Sequence, residues 1–347
     1  MKISIKDIIQ LIIFTSIGAA ILWLLWSSQT AAYIEECGLQ GIPLEDCSLS
    51  NKLIEDYKSC NPFWLIMVCL VFMMSNVFRA LRWKQMLATL GITPKFYNAF
   101  FSTMVGYFVN LGIPRSGEFA RGALMAKYEN KPFDNIFGTI ILDRTLDMFS
   151  LLIMLGLGFL FCFDQLWSYI NEKAPFLVEN IPLYIGLALS AGVIGIVSLF
   201  YFLKKTASSS NKLLLKINAV IKGLLKGIKS IKDIKNIPLF IFYSIGIWLC
   251  YYLMNYLMFF AYAPTSHLSP LEGLLVFDFG AIGMVFPSPG GMGTYHAMIM
   301  EALEVTGVDS LSGFSFAMIL FFTINMFCNI LFGLMGLILL PILNGKR

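Results

Sequence analysis

Long apolar runs separated by short polar breaks fill this chain from end to end. A helix needs roughly 20 apolar residues to cross a hydrocarbon core of ~30 Å. In lipid every backbone N–H and C=O must be satisfied within the chain, which favours helices. On that measure Ile8–Trp26, Pro62–Phe78, Ile136–Phe163, Ile181–Leu203, Ile237–Tyr262 and Gly313–Leu343 read as spans. Three further stretches are interrupted or short. Phe96–Ile113 is broken by Gly106, Gly112 and Pro114, Leu271–Phe286 stops at a Pro/Gly cluster, and Gly293–Val305 is too short to span alone. The first run is long for a signal-peptide core and lacks a small-residue cleavage site after it, so it reads as a retained anchor.

Composition narrows the class. Hydrophobic residues make up 58% of the chain and charged residues 13%, against about 25% charged in soluble domains. A soluble globular domain and a disordered chain are both excluded as starting points. The expectation is one transmembrane domain over residues 1–347. His267 and His296 are the only histidines and show no metal-ligand spacing. No cofactor or metal is expected. The net charge of +4 comes mainly from one lysine-rich segment, so no nucleic-acid partner is expected. Four cysteines (Cys69, Cys162, Cys250 and Cys328) sit in apolar runs and read as small hydrophobes. Cys37, Cys47 and Cys60 share a polar loop. Two of them pair if that loop faces an oxidising compartment, and the sequence leaves open which two.

Charge then sets orientation, because Lys and Arg accumulate on the cytoplasmic side. Arg79, Arg82, Lys84 and Lys95 read as a cytoplasmic loop. Residues 204–236 carry nine lysines against Asp233 alone. Their lysines alternate with Leu and Ile at helical spacing, as in an amphipathic helix on an anionic leaflet. The acidic loops 28–62 and 164–180 read as extracytoplasmic, and both termini as cytoplasmic. Segments 96–135 and 271–310 must then each enter the membrane and return to the side they came from, from opposite faces. The expected fold is therefore an all-α polytopic helical bundle with two oppositely oriented, broken (re-entrant) hairpins in an inverted-repeat arrangement. In such folds the binding site lies where the broken segments meet.

Few charges remain inside the apolar runs, and these are the candidate site. If the residues from Pro114 onward are helical, Arg115, Glu118 and Arg121 share a face, with Glu118 bracketed by two arginines. Asn110 precedes the break. Arginine suits bidentate recognition of phosphate or carboxylate, and a helix starting at Pro114 adds its dipole. Asp143, Arg144 and Asp147 interrupt an otherwise uncharged run, where charge is costly and normally partnered. Arg144 has either aspartate or Glu118 within reach. The cluster reads as a charge gate on an anion site or as a packing network. The second break, Pro287 to His296, holds Gly290, Gly291, Gly293 and Tyr295, whose turn amides can cradle a phosphate. Asp278 and Glu301 flank it. No nucleophile or metal ligand accompanies these carboxylates.

The ordered set of Phe78-Arg79-Ala80-Leu81-Arg82-Trp83, Asn110 to Arg121, Asp143-Arg144-x-x-Asp147 and Pro287-x-Pro289-Gly290-Gly291-x-Gly293 resembles the flippase-like family related to the transmembrane region of lysylphosphatidylglycerol synthases. The likeness covers roughly residues 60 to 340 and leaves out the acidic cysteine-bearing loop. It implies a multi-pass protein of a bacterial inner membrane that moves a phosphate-headgroup lipid between leaflets. Aminoacyl-phosphatidylglycerol, another phospholipid and a polyprenyl-phosphate glycolipid all fit. The soluble aminoacyl-transfer domain of the synthases has no counterpart after the last span, so a transporter is expected rather than an enzyme. The alternatives are a membrane-embedded lipid transferase and an accessory subunit of one. Partners implied are membrane lipids with an anionic headgroup and a separate lipid-modifying enzyme.

Overall fold

The computed structural model describes residues 5–113, 116–173, 175–176, 180, 233–286 and 288–345. The expected span 181–203 and most of the lysine-rich segment 204–236 lie outside the described residues. Within them the regular structure is helical throughout. In chain order the helices are α1 (Ile5–Leu39), α2 (Leu49–Ser59), α3 (Pro62–Ala88), α4 (Phe96–Gly112), α5 (Gly117–Glu129), α6 (Phe133–Phe161), α7 (Phe163–Lys173), α8 (Ile237–Ala261), α9 (Pro270–Val285), α10 (Thr294–Val305) and α11 (Ser310–Asn344). Helices α1, α3, α8 and α11 contain stretches long and apolar enough to cross a membrane. α6 is bent by 88° from α7 at Cys162.

Local chemistry accounts for the helix ends. Asn61 accepts the amide of Phe63 ahead of Pro62, and Asn236 accepts that of Leu239 ahead of Pro238, so both helices have capped starts with proline in the first turn. Ser269 and Glu272 form a reciprocal capping box at α9. Two boundaries differ from the sequence expectation. The polar residues after Trp26 do not end α1, which continues to Leu39, so the loop placed at 28–62 shrinks to the turn before α2. The span expected to stop at Phe78 continues to Ala88, because Arg79, Ala80, Leu81 and Arg82 are good helix formers whose charges find partners inside the bundle. All seven cysteines are free thiols, and burial pushes that of Cys60 up to about 11.

Both broken hairpins form, α4–α5 and α9–α10, and the 35-residue helix α11 shows how they lie. At its C-terminal end Asn344 and Asn98 exchange side-chain hydrogen bonds at 2.7 and 3.2 Å, and Tyr97 donates to the Leu343 carbonyl. Glu129 closes the same base by accepting from the Lys95 amide and Asn98. The base of the second hairpin sits at the other end, where Leu303 lies against Gly313. The hairpins thus enter from opposite ends of α11. Arms of 17 and 16 residues are about 25 Å long, too short to cross. Their tips meet instead, with Gly290 against Leu111 and Phe321. At that level α11 widens into a π-helical stretch, Phe322–Cys328.

Close backbone approach makes this packing possible. The site a side chain at Gly117 would occupy is filled by the Gly106 carbonyl and Asn110, so α4 and α5 touch through bare backbone. Gly333 and Gly336 of α11 seat Phe108 and Phe101 of α4 in the same way, as small residues do between helices in lipid. Gly333→Leu is therefore expected to lower the thermal midpoint in detergent through overpacking of about 1–3 kcal/mol. Gly138→Ala, where nothing lies within 4 Å, is expected to leave it unchanged or raise it.

Candidate functional site

Asp143, fully buried on α6, gathers three guanidiniums from two other helices. Its Oδ2 accepts from Arg79 at 3.1 Å and from Arg121 at 2.9 Å, and its Oδ1 accepts from Arg82 Nε at 3.0 Å. Asp147, one turn on, accepts from Arg79 at 2.8 Å and Arg82 at 2.6 Å. Arg79 Nη2 donates to the Tyr251 hydroxyl of α8 at 2.9 Å. Arg121 lies over the Trp83 ring, 3.8 Å from its centroid, and the Trp83 indole donates to Thr139 at 2.8 Å. At the rim Arg144 pairs with Glu118 at 2.6 Å.

Several sequence expectations change here. Helix α5 begins at Gly117, not Pro114. Arg121 and Glu118 belong to different partners, Asp143 and Arg144 respectively. Arg121 turns inward to Asp143 because the indole face and the carboxylate together offer it a desolvated seat. Asn110 lines the cavity and also serves the backbone. Its Oδ1 accepts the Gly117 amide at 2.7 Å, which satisfies the start of α5. The Gly291 amide donates to Ser288 and the Gly293 amide to His296, so those amides are engaged within the turn rather than free to cradle a phosphate. Tyr295 packs against Gly280 and Phe321, away from the arginines. Arg115 and Pro287 lie outside the described residues.

Arg79 and Arg82 are the site residues that sequence reasoning missed. Both are essentially fully buried. They looked like loop charges because the apolar window ended at Phe78. Their spacing of three, beside Trp83 on a stretch of good helix formers, was the available sign that one helical face continued.

Four arginines face three carboxylates in this cluster, and the balance is visible in the hydrogen bonds. Arg121 Nε and Nη2, Arg82 Nη1, Arg79 Nε and Arg144 Nε are buried donors with no partner among the described residues, and Glu118 Oε2 is a buried acceptor with none. A cavity of about 10 Å³ lies among Tyr107, Asn110, Glu118, Arg121 and Arg144, room for about one water. The arrangement is an anion-compatible, positively biased site closed down around its own counter-ions.

Residues 49–333 match the family described as the lysylphosphatidylglycerol synthase TM region. The chain belongs to that family. UPF0104 membrane protein MJ1595 of Methanocaldococcus jannaschii is 29% identical over 100 residues, which is 28% of this chain and less than a third of that protein, at 30%. A UPF0104 membrane protein of Methanothermobacter thermautotrophicus is 24% identical over 74% of this chain and 80% of its own length. MJ1078 of M. jannaschii is 25% identical over 65% and 91% respectively. No solved structure matches the chain.

Removing one partner of a buried ion pair leaves its mate uncompensated, at a cost of about 3–5 kcal/mol. Asp143→Asn is expected to lower the thermal midpoint sharply. Arg144→Gln, at the 39%-exposed rim, is expected to lower it far less. Equal losses would mean that Asp143 is not the hub.

Proposed function

We propose that this family member moves a phosphate-headgroup lipid between the leaflets of its membrane, and that the headgroup engages the arginine cluster between α3, α5 and α6. The observation that carries the reading is the buried surplus of guanidinium donors without partners among the described residues, beside a small cavity within a membrane bundle. Arginine donors left without acceptors in a dry site favour a multivalent oxyanion. The Glu118 oxygen on the same cavity, without a partner among the described residues, supplies a complementary acceptor. A headgroup that joins phosphate to an ammonium, such as an aminoacylated phosphatidylglycerol, satisfies both.

The closed cavity requires movement for any headgroup to enter. The weakest seam is the Glu118–Arg144 pair, since both side chains are partly exposed while the Asp143 pairs are not. Parting α5 from α6 there exposes the Arg121 donors. The charge pattern supports an orientation with both termini cytoplasmic in an inner membrane. Transferase chemistry fits less well, because Asp143 and Asp147 are held as counter-ions by guanidiniums and make poor bases. A separate enzyme that makes the lipid is the partner this reading implies.

The test uses purified protein in vesicles with a labelled lipid and a headgroup-accessible quencher. Wild type is expected to accelerate translocation of phosphate lipids, aminoacylated ones most. Arg121→Lys keeps the charge and loses the fork, and is expected to slow transport about tenfold, or ~1.4 kcal/mol. No acceleration with any headgroup would sink the reading, and a modified lipid made by the protein alone would replace it with catalysis.

A further inference from the structure

A second acid lies deep in the fold with none of the compensation given to Asp143. Asp278 sits midway along α9, is 5% exposed, and makes no salt bridge or side-chain hydrogen bond among the described residues. Its Oδ1 is wholly buried without a partner. Its carboxyl lies directly against the backbone of α6 at Gly158, in the space a side chain there would take. The arginine cluster offers it nothing, because Gly158 is 15 residues, about 22 Å, along α6 from Asp143. Segment 174–203 carries no lysine or arginine either.

Among the described residues the charged and titratable groups on the elements around it are engaged elsewhere or bring no positive charge: Lys173 of α7 pairs with Glu304 of α10 at 3.3 Å, and Asp164 and Glu172 of α7 are exposed acids. α6 offers the Cys162 thiol, which donates to the Leu271 carbonyl. α7 offers Tyr169, whose hydroxyl is bonded to Glu301 of α10. α8 offers Tyr251, bonded to Arg79, and Tyr252, bonded to the Pro270 carbonyl. α10 also carries Tyr295 and His296, the latter accepting from the Gly293 amide. On α9 itself Glu272 is held in the capping box at the far end. No cation among the described residues compensates a carboxylate at 278.

An ionised carboxylate is costly to bury unpaired, and such a group takes up a proton instead. We propose that Asp278 is a proton-binding site, held as the neutral acid in this conformation, and that release of its proton requires α9 to part from α6. Charging the group demands water, and the bare Gly158 backbone leaves no room for water while the helices touch. Parting admits water at the seam, the O–H bond breaks, the proton leaves to that water, and the carboxylate is hydrated. α6 also carries Asp143, Arg144 and Asp147, so the same helix is shared by the proton site and the arginine site. Coupling of the proton to lipid movement rests on the function proposed above; proton binding itself does not.

Infrared difference spectra of the full chain in phosphatidylcholine nanodiscs, titrated from pH 5 to 9, test the proton site. A carboxylic-acid C=O band is expected to persist at pH 6, where a solvated aspartate of pKa ≈ 3.9 is ionised. It is expected to vanish in Asp278→Asn and remain in Glu272→Gln. Asn mimics the neutral acid, so Asp278→Asn is expected to keep the wild-type thermal midpoint. Identical wild-type and Asp278→Asn spectra, or a fall in midpoint as large as that of Asp143→Asn, would overturn the proton site. In vesicles, wild-type lipid movement is expected to change several-fold with an imposed pH gradient and Asp278→Asn movement to ignore it. A wild type that moves lipid but ignores the gradient overturns the coupling. If no lipid moves, the transport reading falls, and the infrared band still decides the proton site.

Discussion

The bundle is organised by the need to compensate one buried charge. Asp143 is wholly inside, and a carboxylate there is tolerable only if cations and donors surround it. Meeting that need brings Arg79 and Arg82 from α3 and Arg121 from α5 onto α6. Asp147 then balances the arginines and ties in Tyr251 of α8 through Arg79. Replacing such a network with apolar residues can be stabilising in itself. Its presence here therefore argues for a task that needs charge at depth.

Compensation by long side chains works only if helices approach within their reach, and small residues allow this. Gly106 and Gly117 let α4 and α5 touch through backbone, while Gly333 and Gly336 hold α11 against α4. The first hairpin is thereby clamped at its base by the Asn98–Asn344 exchange and at its tip by Asn110. The second hairpin meets it at the π-helical stretch of α11. π-Helical turns recur at functional positions, and this one marks the level where both chain breaks come together.

Two buried acids, Asp143 of α6 and Asp278 of α9 packed against α6, illustrate opposite solutions to the same problem. Asp143 is kept charged by three guanidiniums. Asp278 faces a helix backbone with no cation at hand among the described residues. The arginine cluster and the unpaired acid thus lie along one helix, α6, which gives the fold a physical route between them without any contact between the residues.

Membrane class, the main apolar helices among the described residues and the two chain breaks were legible in the chain, because apolar run length and proline–glycine interruptions are local properties; α2 and α7, in stretches read as acidic loops, were not. The expectation that the hairpins oppose each other came from charge alone, and contacts at the two ends of α11 agree with it. The charges at 118, 121, 143, 144 and 147 stood out because charge is rare in such runs. Who pairs with whom was not legible. Arg121 reaches Asp143 across 22 residues and Arg79 reaches it across 64, and no local spacing encodes that. Arg79 and Arg82 passed for loop charges because a hydropathy window stops at the first arginine, whereas a helix continues wherever tertiary partners compensate its charge. Sequence determined which residues are expensive to bury; only the packing of the helices decided which of them are compensated, and which are left with a donor or an acid to offer.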